Sequence, residues 1–207
     1  EFAPADTAEQ IARLVLEEAP GEVGFSCYVW NASTLLDAAR RIKAQRPDIF
    51  GLRPALRQMG KRLAESGYSV LVVNPFYRVK KAPTAAAGAA TPIPEVLPLM
   101  QALTETTHMT DAKAFIAWLD TQPSVAKNRK IGTQGYCMGG PIAFRTAAAV
   151  PGRVGAVASF HGGGLVTPNP NSPHLQAAAT KAQFLVAIAD NDDKRSPTDK
   201  DVLKETF

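Results

Sequence analysis

The chain has 207 residues, 45% hydrophobic and 20% charged, with 16 Pro and 15 Gly. That length suits one domain over residues 1–207 that needs no disulfide or metal staple, and no apolar run approaches the roughly 18 residues of a membrane span. The net charge of +4 comes from scattered Lys and Arg rather than one basic face, which argues against nucleic-acid binding. Cys27 and Cys137 are far apart and neither sits in a Cys-x-x-Cys pair, so metal-finger and dithiol chemistry are not expected. Two free thiols suit the reducing cytoplasm, and the acidic stretch from Glu1 to Pro20 lacks the basic-then-apolar layout of an export signal.

In chain order, Ala8–Ala19 is expected to be a short amphipathic helix ended by Pro20-Gly21. Val23–Trp30 has strand-type composition, and Leu35–Gln45 looks helical. Leu56–Ser66 is a clearer helix closed by Gly67. Tyr68–Val73 is an apolar, β-branched run too short for a helix, hence a buried strand. Ala82–Pro98, rich in Ala, Gly, Thr and Pro, reads as a long irregular loop. Thr110–Thr121 is expected to be a helix with N-cap chemistry at Thr110 and Asp111. Lys130–Gly135 is a short strand, Pro141–Ala149 a helix, Val154–Phe160 and Phe184–Ala189 buried strands, and Pro197–Phe207 a helix with Pro near its first turn. Strands and helices alternate, and the strands are continuously apolar. That pattern predicts an α/β fold with a mainly parallel sheet and helices on both faces.

The segment richest in chemistry is Gly135-Tyr136-Cys137-Met138-Gly139-Gly140, which follows a strand and opens a helix. Gly-x-nucleophile-x-Gly in that setting is a nucleophile elbow. A side chain at Gly135 or Gly139 is expected to collide with its neighbours. The helix that follows aims its positive end at the Cys137 sulfur, which favours the thiolate, and the Met138 N–H is placed to stabilise an oxyanion. The plain alternative is a buried structural Cys in a glycine-rich turn. A phosphate cradle is the weaker reading of these glycines, because the Lys-Ser/Thr of a P-loop and the Gly-x-Gly-x-x-Gly spacing are missing.

This turn, with Asp48-Ile49-Phe50-Gly51-Leu52-Arg53-Pro54, Asn74-Pro75-Phe76-Tyr77-Arg78 and Ser159-Phe160-His161-Gly162-Gly163-Gly164, resembles the dienelactone hydrolase family of α/β-hydrolases from about Pro47 to Phe207. The resemblance implies a Cys-Asp-His triad in that chain order, no cofactor, no metal, and a small-molecule ester or lactone as substrate. It makes Cys137 the nucleophile. It puts the acid in Asp190-Asn191-Asp192-Asp193, with Asp192 preferred, Asp193 second and Asp190 too near the strand. It also suggests the Ile49 N–H as second oxyanion donor beside that of Met138. Asp48 stands where the family often has Glu, close to the nucleophile; Asp is one methylene shorter. Arg78 matches the region of a cation for a substrate carboxylate, and Tyr77 is a candidate for lining the pocket. His161-Gly162-Gly163-Gly164 lies downstream of the nucleophile, unlike the His-Gly-Gly-Gly oxyanion hole of some lipases, and reads as a tight strand exit at the rim of the site, with His161 a candidate for touching substrate.

Two departures qualify the resemblance. The segment Leu35–Arg46 is charged and helix-like where a hydrophobic strand should lead into Asp48. His108, His161 and His174 all precede the aspartates, so none fits the general base by order. The expectation is a fold incomplete at its C-terminal end, short of one strand, one helix and the catalytic His. A second reading follows: a binding protein of the same fold without the base. A third is association with a partner chain through an incomplete sheet. A monomer or homodimer, with no nucleic-acid or membrane partner, is expected.

Overall fold

The computed structural model describes residues 54–82 and 93–207. The chain divides into two compact units, Glu1–Leu103 and Thr104–Phe207. The elements expected at Ala8–Ala19, Val23–Trp30 and Leu35–Gln45 lie outside the described residues, as do Asp48 and Ile49.

In the first unit, α1 (Pro54–Glu65) begins on a proline, whose fixed φ suits the first helical turn. It ends where Gly67 takes φ +92 and donates its N–H to the Ala64 carbonyl at 2.9 Å, a left-handed residue that only glycine adopts without strain. Gly60 brings the helix against the following segment: a Cβ there would lie 2.4 Å from Val72 Cγ2. The expected strand Tyr68–Val73 is corrected. Among the described residues it joins no strand ladder, and Tyr68 is 68% exposed. A short β-branched run reports burial against something, and here part of that something is α1, not a neighbouring strand. The expected loop Ala82–Pro98 is corrected too, because α2 (Ile93–Gln101) starts inside it. Pro94 falls in the first turn, where no intrahelical N–H is lost, so proline content misled the reading.

In the second unit, α3 (Glu105–Asp120) starts earlier than the expected Thr110. Its cap is Thr104, which accepts the Thr107 N–H at 3.2 Å, while the Thr107 hydroxyl oxygen accepts the Thr104 N–H at 2.8 Å. Two otherwise orphaned donors are satisfied reciprocally, and Asp111 is buried in the helix instead of capping it. Then come β1 (Ile131–Tyr136), α4 (Gly139–Ala149), β2 (Val154–Phe160), α5 (Pro173–Ala178), β3 (Gln183–Ala187), α6 (Asp190–Arg195) and α7 (Asp199–Thr206). The strands form a three-stranded sheet in the order β1-β2-β3, and both pairings are parallel. Parallel neighbours need crossover connections, which α4 and α5 supply.

The core lies between this sheet and its helices. Phe144 of α4 is fully buried and meets Phe184 and Phe207 with ring centroids 5.2 and 5.7 Å away. Phe184 and Phe207 stack at 3.9 Å. Val154, Val157, Ile116, Ala147 and Leu203 complete the cluster. Burial alternates along β3: Phe184 and Val186 pack against the core, while Leu185 between them is 49% exposed. Continuous apolar sequence had suggested burial on both faces. No helix among the described residues is long and apolar enough to cross a membrane.

Candidate active site

The strand register builds the site. Tyr136 pairs with Phe160, and Phe160 pairs with Ala187. The residue after each therefore emerges at the carboxyl edge of the sheet. Cys137 follows β1 and His161 follows β2, and the two are tied across the edge. The Cys137 N–H donates to the Phe160 carbonyl at 3.0 Å, and the His161 N–H donates to the Ala187 carbonyl at 2.7 Å. Beneath them the Tyr136 and Phe160 rings stack at 5.1 Å. Burial pushes the Tyr136 phenol up to about 12, so it stays protonated and cannot accept a proton.

Cys137 has φ +53 and His161 φ +44; both are non-glycine residues in the left-handed region. Such strain costs about 1–3 kcal/mol per residue and persists where the surroundings enforce it. For Cys137 the enforcing contact is visible. A Cβ at Gly135 would sit 1.9 Å from the Gly139 carbonyl oxygen, so only glycine lets β1 turn this sharply into α4. The expectation for Gly139 is corrected: a Cβ there would meet nothing within 4 Å. The crowded position is Gly140, whose Cβ would lie 2.5 Å from Ser159 Oγ and 2.9 Å from Gly162 Cα. Gly162 is equally tight, 2.3 Å from Ser159 Oγ. The glycines thus press the β2 exit against the start of α4. Met138 is the N-cap of α4, so its amide belongs to the turn whose N–H groups lack intrahelical acceptors.

Asp192 comes from α6, immediately after β3. Its side chain is 16% exposed, and Oδ1 accepts from Arg195 Nη2 at 2.9 Å. Oδ2 is buried with no hydrogen-bond partner and faces His161 Nδ1 at 3.6 Å. The other aspartates are engaged outward: Asp190 with Lys194 and Asp193 with Lys200, each at 2.9 Å. Sequence reasoning placed His161 at the rim but missed its pairing with Asp192. The signal was the parallel alignment of β2 with β3, which brings their exits together.

The two remaining histidines serve the packing. His174 is buried, with Nδ1 2.8 Å from Ser172 Oγ. His108 on α3 lies 3.2 Å from Arg145 Nη1 through its Nδ1. Burial, then the Arg145 charge, lowers its pKa to about 4, so it stays neutral and accepts that bond.

Tyr77 and Arg78 belong to the first unit, in a turn where Asn74 Oδ1 accepts the Phe76 N–H at 3.1 Å. The Arg78 guanidinium lies 4.7 Å from the Tyr77 ring centre. Among the described residues no group of three or more His, Cys, Asp or Glu is placed to hold a metal ion. A cleft of about 560 Å³ lined by Lys130, Gly152, Val154, Thr180 and Lys181 lies at the opposite, amino end of the strands. No cysteine, serine or histidine lines it.

This elbow, set between a parallel strand and a helix, is accompanied by a match over most of the chain: a model of the dienelactone hydrolase family fits residues 46–207. The chain belongs to the dienelactone hydrolase family. The α/β-hydrolase fold of that family accounts for the parallel sheet and its crossover helices. A curated relative, carboxymethylenebutenolidase of Rhodococcus opacus, is 32% identical over 132 residues, which cover 63% of this chain and 48% of the relative. The chain therefore spans about half the length of the curated relative it matches. No solved structure matches it.

Proposed function

We propose that this protein is a cytoplasmic hydrolase of small-molecule lactones or esters that works through Cys137. The observation that carries the reading is the left-handed Cys137 at φ +53 in the turn between β1 and α4, where any side chain at Gly135 would collide with the Gly139 carbonyl. It occurs in a chain of the dienelactone hydrolase family. A sulfur nucleophile there would attack the substrate carbonyl carbon, expel the alcohol or open the lactone ring, and leave a thioester that water hydrolyses. The Met138 N–H, with that of Ile49, would hold the oxyanion. Asp192 is the acid of choice because its carboxylate is the one turned toward an imidazole. Arg78 would take a substrate carboxylate, with Tyr77 and Asp48 beside the substrate. The thioester route itself calls for no cofactor. The name of the R. opacus relative denotes a butenolide lactone, which makes butenolides the first substrates to assay here.

The test is turnover of a carboxylated butenolide and of p-nitrophenyl acetate by the native chain and by Cys137→Ala. Hydrolysis that disappears in the variant supports the reading. Turnover that survives the substitution, or a native chain that turns over neither compound, overturns it.

A further inference from the structure

We infer that the cleft at the amino end of the sheet binds a small polyvalent phosphate, with Lys130 and Lys181 as its cations. The cleft lies at the other end of the strands from Cys137 and does not depend on how that residue reacts. Its volume of about 560 Å³ falls in the usual range of small-molecule sites. Lys130 stands at the entry of β1, Gly152 and Gly155 at that of β2, and Thr180, Lys181 and Gln183 at that of β3. No carboxylate lines the cleft, and among the described residues neither lysine pairs with one.

Lys130 is held in place and not merely exposed. Its stem crosses Gly155, where a Cβ would lie 2.6 Å from Lys130 Cβ and 3.0 Å from its Cγ. The register shifts at this point: Ile131 pairs with Val154 and Gly132 with Ala156, which leaves Gly155 without a partner on β1. Such bulges re-aim side chains, and glycine there admits the close approach. The Lys130 ammonium donates to the Gly152 carbonyl at 2.5 Å, which leaves its other N–H groups for a ligand. The loop behind it is pinned. Arg153 donates to Asp120 through two nitrogens and to the Ala126 and Arg129 carbonyls. Asp120 is thereby taken up, while Lys127 and Arg129 add positive charge to the same loop. On the other side, the Thr180 hydroxyl donates to the Ala177 carbonyl at 2.8 Å and accepts the Ala182 N–H at 3.3 Å. The loop that carries Lys181 is therefore fixed before and after it.

The charge and spacing select the ligand. β2 lies between β1 and β3, so the two lysines leave the sheet about 10 Å apart, two strand spacings, and both side chains are long enough to converge on one anion. Lysine acts on phosphoryl groups as a compact point charge and lacks the planar fork that arginine brings to a carboxylate. Two such cations with no lining carboxylate fit an anion of at least two charges. The positive charge is gathered at a cleft of small-molecule size and not along a helix face, which favours a small anion over nucleic acid.

The test is titration calorimetry with inorganic pyrophosphate. It compares the native chain with Lys130→Gln, Lys181→Gln and, as a control for net charge, Lys113→Gln on the exposed side of α3. The native chain should bind at a single saturable site, and each cleft substitution should raise the Kd roughly tenfold. Lys113→Gln should leave it unchanged. Gly155→Ala, which pushes the Lys130 stem aside, should weaken binding as well. No saturable binding by the native chain overturns the proposal, and so does an equal loss in Lys113→Gln, which would mark a bulk charge effect. Citrate bound as tightly as pyrophosphate would overturn the choice of phosphate. A short DNA duplex bound more tightly, with the same lysine dependence, would make this face a nucleic-acid surface and overturn the small-ligand reading. If a variant fails to fold, amide NMR shifts of the native chain decide. Pyrophosphate should move Lys130, Gly155 and Lys181; binding that leaves all three unmoved overturns the proposal.

Discussion

The carboxyl edge of the sheet and the helix layer beneath it solve opposite problems with the same kinds of residue. In the helix layer a histidine, an arginine and an aromatic cluster are arranged to be inert. His108 accepts from Arg145, His174 bonds to Ser172, and Phe144 sits fully buried among rings. At the edge a histidine and a cysteine stand in left-handed backbone, and Asp192 keeps a buried oxygen without a hydrogen bond. The His108 Nε2 of the helix layer is also buried without a hydrogen bond, so what separates the two regions is the left-handed backbone at the edge. Broken rules held in place by close packing are the mark of a site and not of a defect.

The largest expected effect on stability comes from the inert region. Phe144→Ala should cost about 3–5 kcal/mol, because two rings, Phe184 and Phe207, lose their common neighbour and the cavity cannot fully collapse. Urea denaturation would measure it, and a loss below about 1 kcal/mol would show that this cluster is not the core. Next comes the elbow. Gly135→Ala should destabilise by about 3 kcal/mol or abolish folding, since its Cβ meets backbone at 1.9 Å. Gly139→Ala, with open space around it, should be nearly silent by the same measurement. Equal costs at the two positions would remove the argument that Gly135 enforces the Cys137 conformation.

These two glycines also show how far sequence carries. The glycine-rich turn after a strand was legible, and so was the place of Cys137 within it. The crowding at Gly135 was legible as well, but that the second crowded position is Gly140 and not Gly139 was not, because it depends on how β2 exits against α4, a contact between segments some twenty residues apart. Of the helices of the second unit, α3, α4 and α7 were legible from the sequence; α5 and α6, six residues each, are too short to show a helical period and were not expected. The start of α3 was not, because the Thr104–Thr107 cap competes with an equally plausible one at Thr110. The strands β1, β2 and β3 were placed to within about two residues, the usual fraying of such boundaries. Tyr68–Val73 failed because apolar content signals burial and says nothing about a pairing partner. The His161–Asp192 contact failed for a related reason: chain order cannot show that two strand exits meet.

A smaller effect distinguishes the histidines. His108 has its pKa lowered to about 4 from 6.5, mainly by burial. The unfolded chain therefore binds this proton first as pH falls, so the stabilisation is intact above about pH 6.5 and is lost as pH drops toward about 4. Partial solvent access reduces the full linkage value to roughly 2 kcal/mol. Urea titrations across that range should show the loss in the native chain and a shallower one in His108→Gln. Identical slopes would contradict the burial argument. The smallest effect is expected at Arg195, whose pair with Asp192 has one partner 72% exposed. Arg195→Ala should change stability by less than about 1 kcal/mol; a larger loss would mean that the ion pair, and not the fold, holds α6 at the edge.

The account turns on whether the Cys137 sulfur bonds to substrate carbon. The direct measurement is the mass of the chain quenched in acid during turnover of p-nitrophenyl acetate, followed by peptide mapping. The expected result is one acetyl group on the peptide that carries Cys137, as a hydroxylamine-labile thioester absent from Cys137→Ala. Turnover that proceeds with that peptide unmodified, or with the acetyl group on another residue, would contradict it.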